Sequence, residues 1–243
     1  MKIGIIGFGR LGKLIAKNLA QDFDLLIYDK VDYAGEITKI GATSADLKKI
    51  CSECKIIIPF VPISSFESLI KEIAPDILPD TLIIDVCSVK IHPIEVMKKY
   101  LSEDIQILGT HPMFGPDSAK TTLMGSKIVL CKERISEENY QNIKQYLEKF
   151  GLKVIEATAD RHDEDISSSL LLTHFLGRTL MDFKASDLEI DTAGYRRLMK
   201  ILSTVENDTW QLFEDMNHYN PHARKTIERF LKTQELIKDR IYK

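Results

Sequence analysis

The chain opens with Met1-Lys2-Ile3-Gly4-Ile5-Ile6-Gly7-Phe8-Gly9-Arg10-Leu11-Gly12, a short apolar run that leads into closely spaced glycines. This order predicts a buried strand, a tight turn and the start of a helix. Gly7 allows the turn, Gly9 lets a pyrophosphate approach the backbone, and Gly12 lets the helix pack close to the strand, so that its first N–H groups face the phosphates. The predicted phosphate-binding residues are Gly7, Gly9, Arg10, Leu11 and Gly12.

A carboxylate at the end of the second predicted strand indicates which dinucleotide is bound. Asp29 follows Gly12 by 17 residues, and a carboxylate in that position accepts hydrogen bonds from the ribose hydroxyls and repels a 2′-phosphate. This favours NAD over NADP. The neighbouring Lys30 keeps NADP possible, because its ammonium group can help to hold a phosphate. We count both residues as cofactor-binding.

Apolar runs alternate with helical patterns through the first half of the chain. Most runs are rich in Ile, Val and Leu without polar alternation, as expected of parallel strands that are covered on both faces. Helices are predicted between them, for example over 11–21, 64–73 and 137–150, the last of which begins at Ser136 and stops at Gly151. The order predicts an α/β fold with an N-terminal Rossmann-type doubly wound sheet. The predicted strands span residues 2–7, 24–29, 55–61, 81–86, 106–110, 126–131 and 153–157.

The pattern changes near Asp160, after which no strand-like run remains. Three helices are predicted, over 160–183, 192–214 and 221–242, and they form an all-helical C-terminal domain. We therefore divide the chain into an NAD(P)-binding domain, 1–158, and a helical substrate and dimerisation domain, 159–243. Three helices alone make a thin core, so we expect a homodimer that forms mainly through this half.

Size and composition argue against several classes of protein. The chain has 243 residues and a net charge of −3, which offers no basis for a nucleic-acid or membrane partner. No apolar run approaches the ~18 residues needed to span a bilayer, and the strand at the start leaves no room for a signal peptide, so we expect a cytoplasmic protein. Cys51 and Cys54 form a Cys-x-x-Cys pair, but no second ligand pair lies nearby and we expect no metal site.

The stretch Gly109-Thr110-His111-Pro112-Met113-Phe114-Gly115-Pro116 holds the strongest catalytic candidate. It follows an apolar run and contains two prolines that fix backbone φ angles, so we expect His111 on a stiff loop at the end of a strand. Ser88 follows the preceding strand, and both side chains therefore point toward the crevice at the carboxyl ends of the strands. Ser88 also fits a helix N-cap, an interpretation that is compatible with a role in the site.

The segment from His111 to Pro116 resembles the signature of the prephenate/arogenate dehydrogenases, and in particular their short arogenate-dehydrogenase-like branch. The glycine turn lies at the N-terminus as in that family, and residues 85–90 resemble its Asp-x-x-Ser-x-Lys segment. His162-Asp163 and the run 172–178 resemble the first helix of its second domain, and residues 191–195 resemble a turn of the short branch. The match runs in order over nearly the whole chain.

The resemblance implies an oxidative decarboxylation in tyrosine biosynthesis. Hydride leaves C4 of prephenate, or of arogenate, for NAD(P), and loss of carbon dioxide gives 4-hydroxyphenylpyruvate or tyrosine. His111 would accept the proton of the C4 hydroxyl as general base, with Ser88 sharing that hydrogen bond or orienting the imidazole.

The carboxylates of such a substrate need cations, and the resemblance points to Arg178. His174 lies one helical turn earlier, so both side chains can face one cleft, and we count both as substrate-binding. Arg196 and Arg197 are further candidates. The alternatives are core packing for His174 and a solvated or ion-paired side chain for Arg178.

The chain departs from the family pattern at several positions. Leu171 stands where some members have histidine, and Ala193 where the short branch usually has lysine. The resemblance implies that an acidic residue of the second domain helps to bind the amino group of arogenate. A gap-free count puts Thr204 there, although Glu206 and Asp208 are close, so we expect prephenate as the substrate, with arogenate as the alternative.

Two other functions stay open at this point. β-Hydroxyacid dehydrogenases pair the same two kinds of domain but rely on a lysine in the second, and the segment 160–178 has no comparable lysine. A non-catalytic NAD-binding sensor would keep the glycines but would not need Ser88, His111 and a cation together.

Overall fold

The computed structural model describes residues 1–116 and 122–243. The chain forms two compact units, Met1–Asp160 and Arg161–Lys243. The boundary between them lies two residues beyond the division predicted at 158/159.

In the first unit, the described residues form one eight-stranded sheet with the order β3-β2-β1-β4-β5-β6-β7-β8. The order reverses between β1 and β4, and this reversal is the topological switch point at which doubly wound sheets bind their ligands. The predicted α/β fold is confirmed. The strands are β1 (Lys2–Ile6), β2 (Asp24–Tyr28), β3 (Thr43–Ser44), β4 (Ile56–Pro59), β5 (Leu82–Asp85), β6 (Gln106–Pro112), β7 (Lys127–Arg134) and β8 (Lys153–Glu156).

Helices cover the sheet and begin close to where the sequence predicts them. Ser136 caps the last of them by accepting a hydrogen bond from the Asn139 backbone N–H (3.2 Å), and Gly151, at φ +86°, follows its end. The short β3 was not predicted, because two residues cannot form a recognisable apolar run. The helices are α1 (Arg10–Leu19), α2 (Ala34–Lys39), α3 (Leu47–Glu53), α4 (Ile63–Ile73), α5 (Ile91–Tyr100) and α6 (Glu137–Lys149).

The sheet is not parallel throughout, whereas the sequence predicts parallel strands for most of the apolar runs. β7 runs antiparallel to β6, with Gly109 opposite Cys131 and His111 opposite Val129. The residues of β7 from Ile128 to Cys131 are buried in a row, and an apolar run of this kind gives no information about strand direction.

The prediction of three helices in the second half was wrong, because residues 159–243, all of which the structure describes, form five. The first predicted helix is interrupted at Ser169, which has non-helical angles (φ −113°, ψ −85°). The second predicted helix ends at Val205, and a new helix begins after Thr209. The hydroxyl of Thr209 caps it by accepting a hydrogen bond from the Leu212 N–H (3.1 Å). The helices are α7 (Ala159–Ser168), α8 (Leu170–Asp182), α9 (Ala193–Val205), α10 (Trp210–Tyr219) and α11 (Ala223–Ile241).

Among the described residues, no helix is both long enough and apolar enough to cross a bilayer. The cytoplasmic location stays a prediction.

Candidate active site

The glycine turn lies at the switch point of the sheet. Its backbone is closely packed at Gly7 and Gly12 and open at Gly9. Gly7 has φ +104°, and a Cβ on it would collide with the Phe60 carbonyl, just after β4. A Cβ on Gly12 would collide with the carbonyl of Gly7, whereas nothing lies within 4 Å of the Cβ position of Gly9. Gly9 is the N-cap of α1 and makes no side-chain hydrogen bond to the first N–H groups of the helix. This geometry fits a pyrophosphate group.

Asp29 holds the glycine turn in addition to the role predicted for it. One carboxylate oxygen accepts a hydrogen bond from the Phe8 N–H (2.6 Å) and the other from the Val31 N–H (2.8 Å). Each oxygen keeps a second acceptor position, and the half-buried side chain lines a cavity of about 290 Å³ together with the exposed Lys30. The glycine turn and the carboxylate that is predicted to bind the ribose are therefore coupled, which the sequence pattern alone did not indicate.

His111 lies inside strand β6, not on the loop that the sequence predicts. The strand continues through Pro112, because β7 pairs with it as far as Ile128, opposite Pro112. The pairing extends further through a hydrogen bond from the Met113 N–H to the Lys127 carbonyl (2.9 Å). The imidazole is 5% exposed. His111 is thus held by sheet hydrogen bonds as well as by the stiffness of proline.

Ser88 lies, half-buried, in the connection between β5 and α5. The N-cap of α5 is Lys90 and not Ser88, so the capping interpretation does not apply. β5 pairs with β6 from Leu82 opposite Gln106 to Asp85 opposite Gly109. The connection that holds Ser88 and the end of β6 that holds His111 therefore extend from the same edge of the sheet.

In the helical unit, Arg178 is buried without a counter-ion among the described residues. The residue is 4% exposed. Its guanidinium lies over the Trp210 ring, 4.8 Å from the ring centroid, and donates a hydrogen bond to the backbone carbonyl of Asp208. Its Nε has no hydrogen-bond partner in the described structure. A buried charge without a counter-ion is costly, and it is a favourable place for an anionic ligand.

His174 and Asp208 lie beside this arginine. The two side chains approach to 3.6 Å between Nε2 of His174 and Oδ2 of Asp208. His174 is buried, and its Nδ1 has no hydrogen-bond partner among the described residues, while the Asp208 side chain is 31% exposed. We call His174, Arg178, Asp208 and Trp210 the helical-unit cluster. It brings a cationic and an anionic group together.

The remaining candidates of the helical unit lie on its surface or in its core. Arg196 is exposed and paired with Asp191, and Arg197 is exposed. Thr204 is also exposed, with its hydroxyl bonded to the Lys200 carbonyl one turn earlier (2.8 Å). Leu171, at the position of the missing histidine, is fully buried.

Gly177, next to Arg178 in the motif, has a packing role that the sequence analysis missed. A Cβ on it would collide with the Val205 side chain at the end of α9. The glycine therefore lets α9 approach α8 closely, and the following connection brings Asp208 to His174.

We expect a His174→Gln variant to show a smaller loss of stability in acid than the wild type. Burial lowers the pKa of His174; Asp208 raises it and Arg178 lowers it further. The unfolded chain then takes up a proton that the folded chain does not, so stability falls as the pH drops below about 6.5, by at most about 1.4 kcal/mol per pH unit. Urea unfolding above and below that pH measures the difference, and equal pH dependence of the two proteins would contradict it.

A dinucleotide-binding turn in the same sheet as a buried histidine at a strand end defines a class of protein, the NAD(P)-dependent oxidoreductases. Residues 27–156 match the family described as prephenate dehydrogenase, nucleotide-binding domain, and residues 179–243 match the family described as TYRAAT1-like, C-terminal domain. The chain belongs to the prephenate/arogenate dehydrogenase family. The predicted resemblance is confirmed, and with it the nucleotide-binding role of the first unit.

Two relatives from Arabidopsis thaliana match the whole chain. Arogenate dehydrogenase 2, chloroplastic, is 31% identical over 251 residues, which cover 100% of this chain and 70% of that protein. Arogenate dehydrogenase 1, chloroplastic, is 32% identical over 251 residues, which cover 100% of this chain and 39% of that protein. The chain therefore spans between about two fifths and seven tenths of these relatives.

The fold is shared with solved structures of the same family. A crystal structure of prephenate dehydrogenase from A. aeolicus, in complex with hydroxyphenyl propionate and NAD+, superposes with a TM-score of 0.80 at 20% identity. The similarity covers 100% of this chain and 91% of that one. The chain is thus an oxidoreductase of the prephenate/arogenate dehydrogenase family by sequence.

Proposed function

We propose that this protein catalyses the NAD-dependent oxidative decarboxylation of a cyclohexadienyl carboxylate, arogenate or prephenate, in tyrosine biosynthesis. The observation that supports this most is the placement of His111 in β6. This buried imidazole, next to the strand that leads to Ser88, belongs to the unit whose glycine turn fits a pyrophosphate.

His111 has the chemistry that the reaction requires. We assign His111 the role of general base, which accepts the proton of the C4 hydroxyl as hydride leaves C4. Ser88 is a second group that hydrogen-bonds to this hydroxyl or to the imidazole. A bound nicotinamide supplies the hydride acceptor, and Gly7, Gly9, Gly12 and Asp29 would hold its dinucleotide. Loss of carbon dioxide makes the ring aromatic, so the protein mainly has to position and polarise the substrate.

The helical-unit cluster supports arogenate as the preferred substrate. Arg178 offers a buried guanidinium to a carboxylate, and the Asp208 carboxylate offers a partner to an ammonium group. An amino acid carries both groups, whereas the keto acid end of prephenate carries only the carboxylate. Prephenate stays the alternative. It is favoured by the gap-free count that puts Thr204 at the position of the acidic residue.

Turnover of purified protein tests the proposed function. With NAD and arogenate, we expect NADH to form together with tyrosine; with prephenate, the product would be 4-hydroxyphenylpyruvate. NADH absorbance and product chromatography measure the two products. Absence of turnover with both substrates, in protein that binds NAD, would refute the enzymatic function and favour a non-catalytic NAD sensor.

An Asp29→Ala variant is expected to discriminate less against NADP. The lost carboxylate removes ribose hydrogen bonds and repulsion of the 2′-phosphate, so the NAD/NADP ratio of kcat/KM should fall by roughly 10- to 100-fold. Because Asp29 also holds the Phe8 N–H, NAD affinity should fall too. Asp32→Ala, which removes a carboxylate from the same cavity, is the control. An unchanged cofactor preference in Asp29→Ala would refute the ribose contact.

We also propose that the protein is a homodimer formed through its helical unit. Large apolar side chains of this unit are exposed and would be covered in a dimer. A light-scattering mass of about twice the 27.7 kDa of the chain would support this, and a monomer mass would contradict it. These exposed apolar side chains include Phe183, Leu188, Ile190, Leu231, Leu236, Ile237 and Ile241.

A further inference from the structure

A fully buried ion pair lies next to the histidine strand and has no part in the chemistry described so far. Lys90 and Asp85 are paired, and both side chains are 0% exposed. A lysine is almost never fully buried unless it is paired. Burial raises the pKa of Asp85, and Lys90 opposes this effect. Such a pair carries a desolvation cost that an apolar pair would avoid. The two charges therefore point to a role other than stability.

The ion pair is bonded directly to the residue before His111. Lys90 Nζ donates a hydrogen bond to the Thr110 carbonyl (2.6 Å). The pairing of β5 with β6 ends at Asp85 and Gly109, so Thr110 lies one residue beyond it. The Thr110 hydroxyl donates in turn to the Asp85 carbonyl (2.7 Å). Asp85, Lys90 and Thr110 thus close a buried ring of polar contacts where the strand pairing stops.

The same carboxylate also holds the segment that leads to Ser88. Asp85 uses one oxygen for Lys90 and the other for the Cys87 N–H (2.7 Å). Cys87 is the residue before Ser88, as Thr110 is the residue before His111. One buried pair is therefore bonded to the backbone immediately before each of the two candidate catalytic residues.

We propose that the Asp85–Lys90 pair is a positioning device that fixes the Thr110–His111 peptide and the Cys87–Ser88 segment relative to each other. Its ammonium group is buried between protein oxygens, so Lys90 acts on the reaction through His111 and does not contact the substrate. A charged donor gives a shorter and stronger hydrogen bond to the Thr110 carbonyl than a neutral one. This inference rests on the proposed dehydrogenase function.

The test removes both charges together, so that neither is left buried alone. The double variant Asp85→Asn/Lys90→Met should lower kcat by about 10- to 100-fold, because small misplacements of a catalytic group have effects of this size. KM and the Kd for NAD should stay within about threefold, since binding groups are untouched. The single variant Lys90→Arg, which keeps Asp85 and a cationic donor, should have a kcat between those of the double variant and the wild type. An unchanged kcat in the double variant would overturn the proposal.

Two control variants separate positioning from general loss of stability. Ile83→Val lies in β5, at a fully buried position, and should lower stability without lowering kcat. Thr81→Val removes a buried hydroxyl that has no partner among the described residues, whereas Thr110→Val removes the one bonded to Asp85. We expect a loss of kcat in Thr110→Val only. Equal effects at the two threonines would contradict the proposal.

A second measurement does not depend on turnover. In protein labelled at histidine with ¹⁵N, His111→Asn identifies the His111 ring signals, and the double variant should shift or broaden them while Ile83→Val leaves them unchanged. Unaltered His111 signals in the double variant would overturn the positioning role. A wild-type protein that turns over neither substrate would instead refute the proposed function, and the ring signals would still test the positioning.

Discussion

Replacing His111 by asparagine should lower kcat by roughly 10²- to 10⁴-fold, the range that a positioned general base contributes. Asparagine keeps a polar side chain in β6 but cannot take up the hydroxyl proton near neutral pH. The Kd for NAD should stay close to that of the wild type, because the groups that fit the dinucleotide lie at the turn after β1 and at Asp29, not on β6. Steady-state kinetics and NAD titration measure the two effects separately.

The matched control is His218→Asn, which changes an exposed histidine that packs on Tyr219 in the helical unit. It should leave both kcat and NAD affinity unchanged. Because His111 is buried, thermal unfolding of both variants shows whether the fold is kept. A His111→Asn protein that is folded but has lost NAD affinity, or that keeps its kcat, would show that His111 is not the base.

The first half of the fold could be predicted because its signals are local. The turn at Gly7 needs a positive φ, and most strands are apolar runs that end near a polar, glycine or proline residue. The direction of β7 and the breaks at Ser169 and Thr209 depend on which segments pair or pack in three dimensions. Serine and threonine are compatible with a helix interior as well as with a helix end, so Ser169 and Thr209 did not by themselves predict the two breaks.

The site shows the same limit. Motif spacing predicted the glycine turn, Asp29, Ser88 and His111, and the structure places them at strand ends of one sheet. The extension of β6 through Pro112 was missed, because proline in a sequence reads as the end of a strand unless the partner strand is known. The buried Asp85–Lys90 pair was equally hidden, since charged residues in a sequence are expected on the surface.

The acidic residue of the helical unit shows why a gap-free count is not sufficient. The count ends on Thr204, which lies within α9 and bonds to its own helix. Asp208 comes four residues later, in the connection after α9, and that connection returns the chain to His174 and Arg178. The contact depends on the close approach of α9 to Gly177, which only the packed structure shows.

An Asp208→Asn variant should therefore reverse or erode a preference for arogenate. Asparagine has nearly the same shape but no charge, so kcat/KM for arogenate should fall by roughly 10- to 100-fold, the size of a charged hydrogen bond. The value for prephenate should stay the same or rise, because its keto acid end has no ammonium group to pair. The ratio of the two kcat/KM values, measured on one protein preparation, is the result that decides.

Glu206→Gln removes a carboxylate that is exposed and two residues away, and it should leave the ratio unchanged. If Asp208→Asn lowers kcat/KM equally for both substrates, Asp208 serves only to hold His174, from which it is 3.6 Å away. A wild type that prefers prephenate would also contradict substrate recognition by Asp208. A carboxylate that faces the substrate would repel the carboxylate of the keto acid, so it would not favour prephenate. Only a loss confined to arogenate, together with an unaffected Glu206→Gln, identifies Asp208 as the group that recognises the amino acid.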